Sequence, residues 1–366
     1  MNRIKVLVVD DSVVVRRLVT DVLGADPRIE VVGVAANGKI ALSKIPQLNP
    51  DILTLDIEMP EMDGLQTLRH LSRDHPRLPV IMFSTLSEHG ARATLDALAL
   101  GARDYVTKPA NVGSVQASMA SIKDQLVPKI VALAASSSRH SGVPAHITAL
   151  PGTPPRTTAA PQRRTSRPDV LLIGVSTGGP EALAQVLPQL PANLPVPVLV
   201  VQHMPPVFTR LLAERLDGRS HLTVSEAADG DAVVPGRVLL APGNFHLRLR
   251  RVGTQMRVVL DQGTPENFCR PAVDVLFRSA VDMYGGGCLA VVLTGMGSDG
   301  ARGAAAVVAA GGEVLAQDQR TSVVWGMPGA VVAAGLASEE LALTQVAGAV
   351  LRRVSRALAP LTGVGR

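Results

Sequence analysis

The stretch DVLLIGVSTGGPEALAQ, residues 169–185, is an apolar run that breaks into small residues and then turns polar. It reads as a strand, a tight turn and the start of a helix, the unit from which parallel α/β sheets are built. Its centre has two readings. The glycines can open a helix around a phosphate, or Ser176 in G-V-S-T-G can be a nucleophile displayed on the turn. A phosphate loop would place a Lys after the glycines, whereas Glu181 stands where a phosphate would be repelled. The residues of this stretch leave a nucleophile turn and a merely structural glycine turn open.

Similar strand signals follow downstream at VPVLVVQH, GRVLLAP, CLAVVLTG and GEVLAQD. Helical stretches lie between most of them. TRLLAERLDG has Thr209 as its expected N-cap and Gly218 past its end, and in RPAVDVLFRSAVDMYGGG Pro271 starts and Gly285 ends a helix. HLRLRRVGTQMRVVLD reads as an antiparallel hairpin around Gly253, inserted in a mostly parallel sheet. The first third of the chain repeats the theme more regularly. IKVLVV, EVVGVA, DILTLD, PVIMFS and DYVT alternate with amphipathic stretches; Val15, Leu18, Val19 and Val22 fall at helical spacing, with Gly24 as the stop. Five such repeats predict a doubly wound parallel sheet.

Between the two halves, a Ser-, Thr-, Pro- and Arg-rich segment has no periodicity and reads as a flexible linker. The expected organisation is an N-terminal unit over residues 1–126, a linker over 127–168 and a second, larger α/β unit over 169–366. The 366 residues suit two domains, and at 46% hydrophobic but only 2% aromatic content the cores must be packed from Val, Leu, Ala and Ile. Two cysteines, Cys269 and Cys288, support no disulfide framework. The first apolar run is too short for a signal peptide and no segment is long enough to span a bilayer, so a cytoplasmic protein without direct membrane insertion is expected. A net charge of +5 invites a nucleic-acid reading. Scattered basic residues and scarce aromatics argue against it, and no nucleic-acid partner is expected.

Ligands of open parallel sheets bind outside the carboxyl ends of the strands. In the first unit those ends carry Asp10 and Asp11, then Asp56, Ser84 and Lys108. Converging carboxylates repel unless a cation sits among them, and oxygen ligands favour Mg²⁺. Asp56 can then be a nucleophile toward a phosphoryl group, with Ser84 donating a hydrogen bond and Lys108 a charge. In the second unit, Ser176, His203 and Asp299 form the one set placed on three strand tips of one edge. His221 falls in a surface loop, and His246 beside the hairpin stays open as a substrate contact. The order Ser, His, Asp differs from that of α/β-hydrolases, so the G-x-S-x-G match does not imply that fold.

VLVVDDS, LTLDIEMPEMDG, IMFSTL and GARDYVTKP together resemble the receiver domain of bacterial response regulators. The resemblance implies phosphorylation of Asp56 by a sensor histidine kinase, Mg²⁺ held by Asp10, Asp11, Asp56 and the backbone carbonyl of Glu58, a switch aromatic at Tyr105, and a cis peptide between Lys108 and Pro109. GVSTGGPEAL, VVQHMPPVFTRLLAERLD, LAPGNFHL, RPAVDVLFRSA and LTGMGSDGA resemble the catalytic domain of the chemotaxis protein-glutamate methylesterase family, CheB. That resemblance implies a phosphorylation-activated serine esterase acting on methylated glutamates of chemoreceptors, which also deamidates receptor glutamines, with no cofactor in the catalytic domain. Ser176 is then the nucleophile, His203 its base, Asp299 the orienting carboxylate, and backbone N–H groups of Thr177 and Met296 the oxyanion donors. One departure stands out: Cys269 occupies a position where the family usually has His.

Overall fold

The computed structural model describes residues 3–108, 115–139 and 167–355. The N-terminal unit contains β1 (Ile4–Val9), α1 (Val13–Gly24), β2 (Ile29–Ala35), α2 (Gly38–Leu48), β3 (Ile52–Asp56), α3 (Gly64–Asp74), β4 (Val80–Ser84), α4 (Glu88–Ala99), β5 (Asp104–Thr107) and α5 (Val115–Arg139). The strands form one parallel sheet in the order β2-β1-β3-β4-β5, and each is an expected apolar run. β3 and β4 are buried along their whole length, so apolar side chains fill both faces, with Thr54 and the strand-end Asp56 and Ser84 as the polar exceptions. Ser12 caps α1 by accepting from Val15 N–H.

Residues 127–139, expected to begin the linker, instead continue α5. Val127, Ile130 and Leu133 keep a helical spacing and are buried in the core beneath β1 and β4, which holds the helix in place despite Pro128 and the Ala/Ser composition beyond it. The rest of the expected linker and the Lys108–Pro109 peptide bond lie outside the described residues.

The second unit contains β6 (Val170–Val175), α6 (Gly179–Val186), β7 (Val198–Gln202), α7 (Phe208–Asp217), β8 (Thr223–Glu226), β9 (Arg237–Leu240), β10 (His246–Val252), β11 (Gln255–Asp261), α8 (Val273–Tyr284), β12 (Cys288–Val292), α9 (Ala301–Ala309), β13 (Glu313–Gln317), α10 (Met327–Ala333), β14 (Glu339–Leu341) and α11 (Leu343–Val354). Seven strands pair in the order β14-β13-β12-β6-β7-β9-β8, parallel throughout. β6 lies at the point where the winding reverses, with β12 on one side and β7 on the other. Crevices open at such a point, beyond the carboxyl ends of the strands.

Three local expectations are corrected. The β10–β11 hairpin is antiparallel but forms a separate two-stranded sheet. Leu247, Leu249 and Val258 find cover on α8, where Leu249 N–H also donates to Ser279 Oγ at 2.8 Å. Helix α7 starts at Phe208 rather than after Thr209, whose hydroxyl donates to Glu226 Oε1 and accepts from Gly243 N–H. Pro271 precedes the N-cap of α8, Ala272, although Gly285 closes that helix with φ 52° as expected.

The receiver-like unit covers the other. α4 packs against α6 and α7, and Leu95 and Leu98 share one apolar cluster with Leu183, Leu212 and Leu216. Around it Arg215 pairs with Asp96 at 2.7 Å, Arg210 with Glu88 at 3.2 Å and Arg92 with Glu214 at 3.5 Å. These exposed pairs add little each. Tyr105 stacks on Phe208 with ring centroids 4.8 Å apart and planes 6° from parallel, and both rings are buried.

Candidate active site and phosphoryl site

Ser176 follows β6 on a turn whose backbone is fixed from three sides. Its N–H donates to Thr294 O at 3.0 Å, while its carbonyl accepts from Gly179 N–H at 2.7 Å and Gln202 Nε2 at 3.0 Å. Gly178 has φ 78°, and a Cβ there would meet Val323 at 2.6 Å, so the turn requires glycine. Gly295 is required by proximity: an added Cβ would lie 2.9 Å from Ser176 Cβ.

His203 follows β7, and its N–H donates to Val175 O, which ties this histidine to the strand that leads into Ser176. Gln202 joins the two again, since its Nε2 also reaches His203 O at 3.3 Å. Asp299, beyond β12, completes the edge: its Oδ2 lies 2.8 Å from His203 Nε2. The structure thus brings His203 and Asp299 into contact at the strand tips beside Ser176. Asp299 is buried, with 2% exposure, so its charge needs donors, and it has them. Val273 N–H, Asp274 N–H, Gly300 N–H and Asn267 Nδ2 all donate to it, the first two from the first turn of α8. Burial raises its pKa; the His203 bond and these N–H groups outweigh that and leave the carboxyl below its ordinary value.

Because Nε2 faces Asp299, Nδ1 is the nitrogen left to work as a base. Cys269 Sγ lies 3.5 Å from it. Burial pushes the imidazole pKa down, but Asp299 and Cys269 push harder in the other direction, to about 10. His203, Cys269, Pro271, Asn244 and Phe268 line one side of a cleft of about 580 Å³; Tyr105, Thr107, Gln125 and Lys129 of the covering unit line the other.

Thr177 and Met296 flank the Ser176 turn and the loop after β12, and neither backbone N–H donates to another group among the described residues. The Thr177 hydroxyl donates to Asp104 Oδ2 of the covering unit at 2.6 Å. His246 is buried, with both ring nitrogens engaged by Thr264 O and Ala272 N–H, so it is a core residue and not a substrate contact. His221 is exposed, as expected for a surface loop. Sequence reasoning missed Gln202 and Asn267. An amide beside a strand-end histidine and another in the ENFCR loop carry no spacing that marks them.

At the tips of the first sheet, ligand oxygens of Asp10, Asp11 and Asp56 lie within 4.8 Å of one another. Asp10 and Asp56 are buried and Asp11 is exposed. Lys108 Nζ stands 2.7 Å from Asp56 Oδ2 and 3.0 Å from Asp10 Oδ2. Asp10 Oδ2 is buried, and the Lys108 ammonium is its one polar partner among the described residues. Burial and Asp10 raise the Asp56 pKa to about 6 against the pull of Lys108. These features fit a hard divalent cation. Ser84 is buried at the end of β4, where its hydroxyl faces Gly90 O and accepts from Thr94 Oγ1 at 2.7 Å rather than bonding Asp56. The Glu58 side chain is turned outward, 3.8 Å from His89.

Comparison with known proteins covers the whole chain. The family described as CheB methylesterase matches residues 171–350, and the response regulator receiver domain matches residues 6–120. A protein from Trichodesmium erythraeum named protein-glutamate methylesterase/protein-glutamine glutaminase is 50% identical over 354 residues, covering 97% of this chain and 100% of the relative. One of the same name from a Nocardioides strain is 53% identical, covering 100% of this chain and 99% of its own. The crystal structure of the Thermotoga maritima CheB methylesterase catalytic domain is 45% identical, with a TM-score of 0.50, and covers 51% of this chain and 99% of that one. Among the described residues no helix is long and apolar enough to cross a membrane.

Proposed function

The chain belongs to the protein-glutamate methylesterase/protein-glutamine glutaminase (CheB) family, and from that membership we propose that Ser176, His203 and Asp299 hydrolyse glutamate methyl esters and selected glutamines of chemoreceptors. The observation that carries the assignment is the 2.8 Å contact of His203 with Asp299 beside the Ser176 turn. Nδ1 of His203 takes the Ser176 proton as Oγ attacks the γ-carbonyl. The N–H groups of Thr177 and Met296 receive the developing oxyanion, each worth about 3–4 kcal/mol. Nδ1–H then protonates the departing methoxide to methanol, or the departing amide nitrogen to ammonia. Water, deprotonated by the same nitrogen, releases the glutamate and restores Ser176. Asp299 keeps the imidazole oriented and stabilises its protonated form.

Control belongs to the N-terminal receiver, which we take to run to the end of α5, with the catalytic domain from about residue 169. Asp56 accepts the phosphoryl group from a histidine of the sensor kinase, its oxygen bonding phosphorus as the kinase nitrogen leaves. Asp10, Asp11, Asp56 and the Glu58 carbonyl would hold Mg²⁺, which neutralises charge during that transfer. Lys108 pairs with the new phosphoryl oxygens and Ser84 turns to donate to one of them. In the unphosphorylated chain, Thr177 is tied to Asp104 and Tyr105 is stacked on Phe208, which supports the receiver as a cover over the cleft. Both reactions belong in the cytoplasm, where kinase and receptor substrate meet.

Methylated receptor membranes provide the test. Ser176→Ala should lower methanol release by on the order of a thousandfold or more, while phosphorylation of Asp56 continues. Undiminished release from the purified variant would remove Ser176 from the mechanism.

A further inference from the structure

Cys269 brings sulfur to the one atom of His203 that hydrolysis needs. Its Sγ is 3.5 Å from Nδ1, and donor atoms of His203, Cys269 and Asp299 all lie within 4.8 Å of one another. A tetrahedral zinc ion, with Zn–N of about 2.0–2.1 Å and Zn–S of about 2.3 Å, separates those two ligand atoms by about 3.6 Å. The observed pair already has that spacing. Metal-binding imidazoles commonly donate their far N–H to a carboxylate, which fixes the tautomer and raises ligand basicity. Asp299 does this at Nε2, and is itself held by three backbone N–H groups and Asn267. The nearest cation in sequence, Arg270, is committed elsewhere, to Asn244 Oδ1 and the carbonyls of Gln262 and Gly263. Cys269 is only partly buried and faces the cleft, which leaves the remaining coordination positions to water.

We propose that His203 Nδ1 and Cys269 Sγ, backed by Asp299, form a site for a thiophilic divalent cation such as zinc, and that its binding reversibly silences hydrolysis. Binding releases the protons that the pair carries: the Cys269 S–H proton and, from the imidazolium form of His203, the Nδ1–H proton pass to solvent as the M–S and M–N bonds form. The Nδ1 lone pair is then no longer available to Ser176. A thiolate–imidazole pair discriminates against Mg²⁺, which the receiver's all-oxygen cluster suits, so the two sites take different ions. The inhibition rests on His203 acting as base; the binding does not.

The full-length protein, with Mg²⁺ saturating the receiver and a thiol-free reductant present, is titrated with Co²⁺ as a spectroscopic substitute for zinc. One equivalent should produce a thiolate-to-cobalt charge-transfer band, and added Zn²⁺ should abolish it. Cys269→Ser and Cys269→Ala, checked by circular dichroism for native structure, should show no band. In the methanol assay zinc should lower the wild-type rate at least tenfold, restored by a chelator, and the two variants should need at least tenfold more zinc for the same effect. No band in the wild type, or an undiminished band in a folded Cys269 variant, overturns the proposal. Equal zinc sensitivity of wild type and variants overturns the inhibitory role. A Cys269-dependent band in a protein that releases no methanol would instead count against the esterase assignment alone.

Discussion

At the scale of single residues, the site is governed by what surrounds His203. Its pKa of about 10 lies above the ordinary value of about 6.5, so its charged form is favoured by the fold. That stabilisation is fully present below about pH 6.5 and is lost as pH rises through about 10. The base form is the minor one at neutral pH, and kcat/KM should climb as pH rises. Cys269→Ala removes one of the two groups that raise the pKa, so the climb should move to lower pH. A pH–rate profile of the two proteins tests this; superimposable limbs would show that the thiol does not act on the base. The residues of the proposed triad could be singled out in the sequence because each lies at or just beyond the end of a buried apolar run, and strand ends converge. The partners that hold Asp299 could not. Asn267 comes from an irregular loop, and two of the other donors are backbone N–H groups that become available only once α8 points its first turn at the carboxylate.

At the scale of elements, twelve of the fourteen described strands follow from apolar runs or from the hairpin's alternation, since burial dictates composition directly. β8 and β14 are short edge strands with a half-polar face, and nothing in TVSE or EEL separates them from loop. The length of α5 was misjudged for a different reason. Beyond Leu126 the helix changes to small residues, and three apolar positions that reach the core, with Lys129 bonded to Asp104 and the Tyr105 carbonyl, hold it in place. Leu133, only 2% exposed, is the last strong anchor. Leu133→Ala should destabilise the receiver by about 2–4 kcal/mol, a typical cost for removing a core leucine. Urea unfolding followed by circular dichroism measures it. A shift below about 0.5 kcal/mol would mean that this part of α5 contributes no core.

At the scale of the whole molecule, the receiver and the esterase meet through strand tips and helix faces from both sides. Buried contacts, rather than the exposed ion pairs, hold the cover. The Tyr105–Phe208 stack is worth about 0.5–1.5 kcal/mol beyond its area, and the Asp104–Thr177 bond joins the receiver directly to the turn that carries Ser176. Asp104→Ala breaks that bond and also removes the carboxylate paired with Lys129, which keeps its bond to Tyr105 O. The unphosphorylated rate should rise several-fold toward the phosphorylated one as the covered population falls. Steady-state methanol release with and without phosphodonor checks it. An unchanged ratio of the two rates would mean that this contact does not restrain the cover. No signal in the sequence foretold the contact, because Asp104 and Thr177 are 73 positions apart and each reads as an ordinary strand-end residue.

The placement of β12 beside β6 has a consequence in time. His203 and Asp299 are 96 residues apart. At about 5–20 residues per second, the ribosome needs about 5–20 s to move from one to the other. Through that interval the receiver is already made, Ser176 and His203 are already in the chain, and the flank of β6 that β12 will occupy is still bare. A nascent chain can therefore sense phosphate before it can cut an ester, and premature termination in this window leaves a signalling protein without a hydrolase.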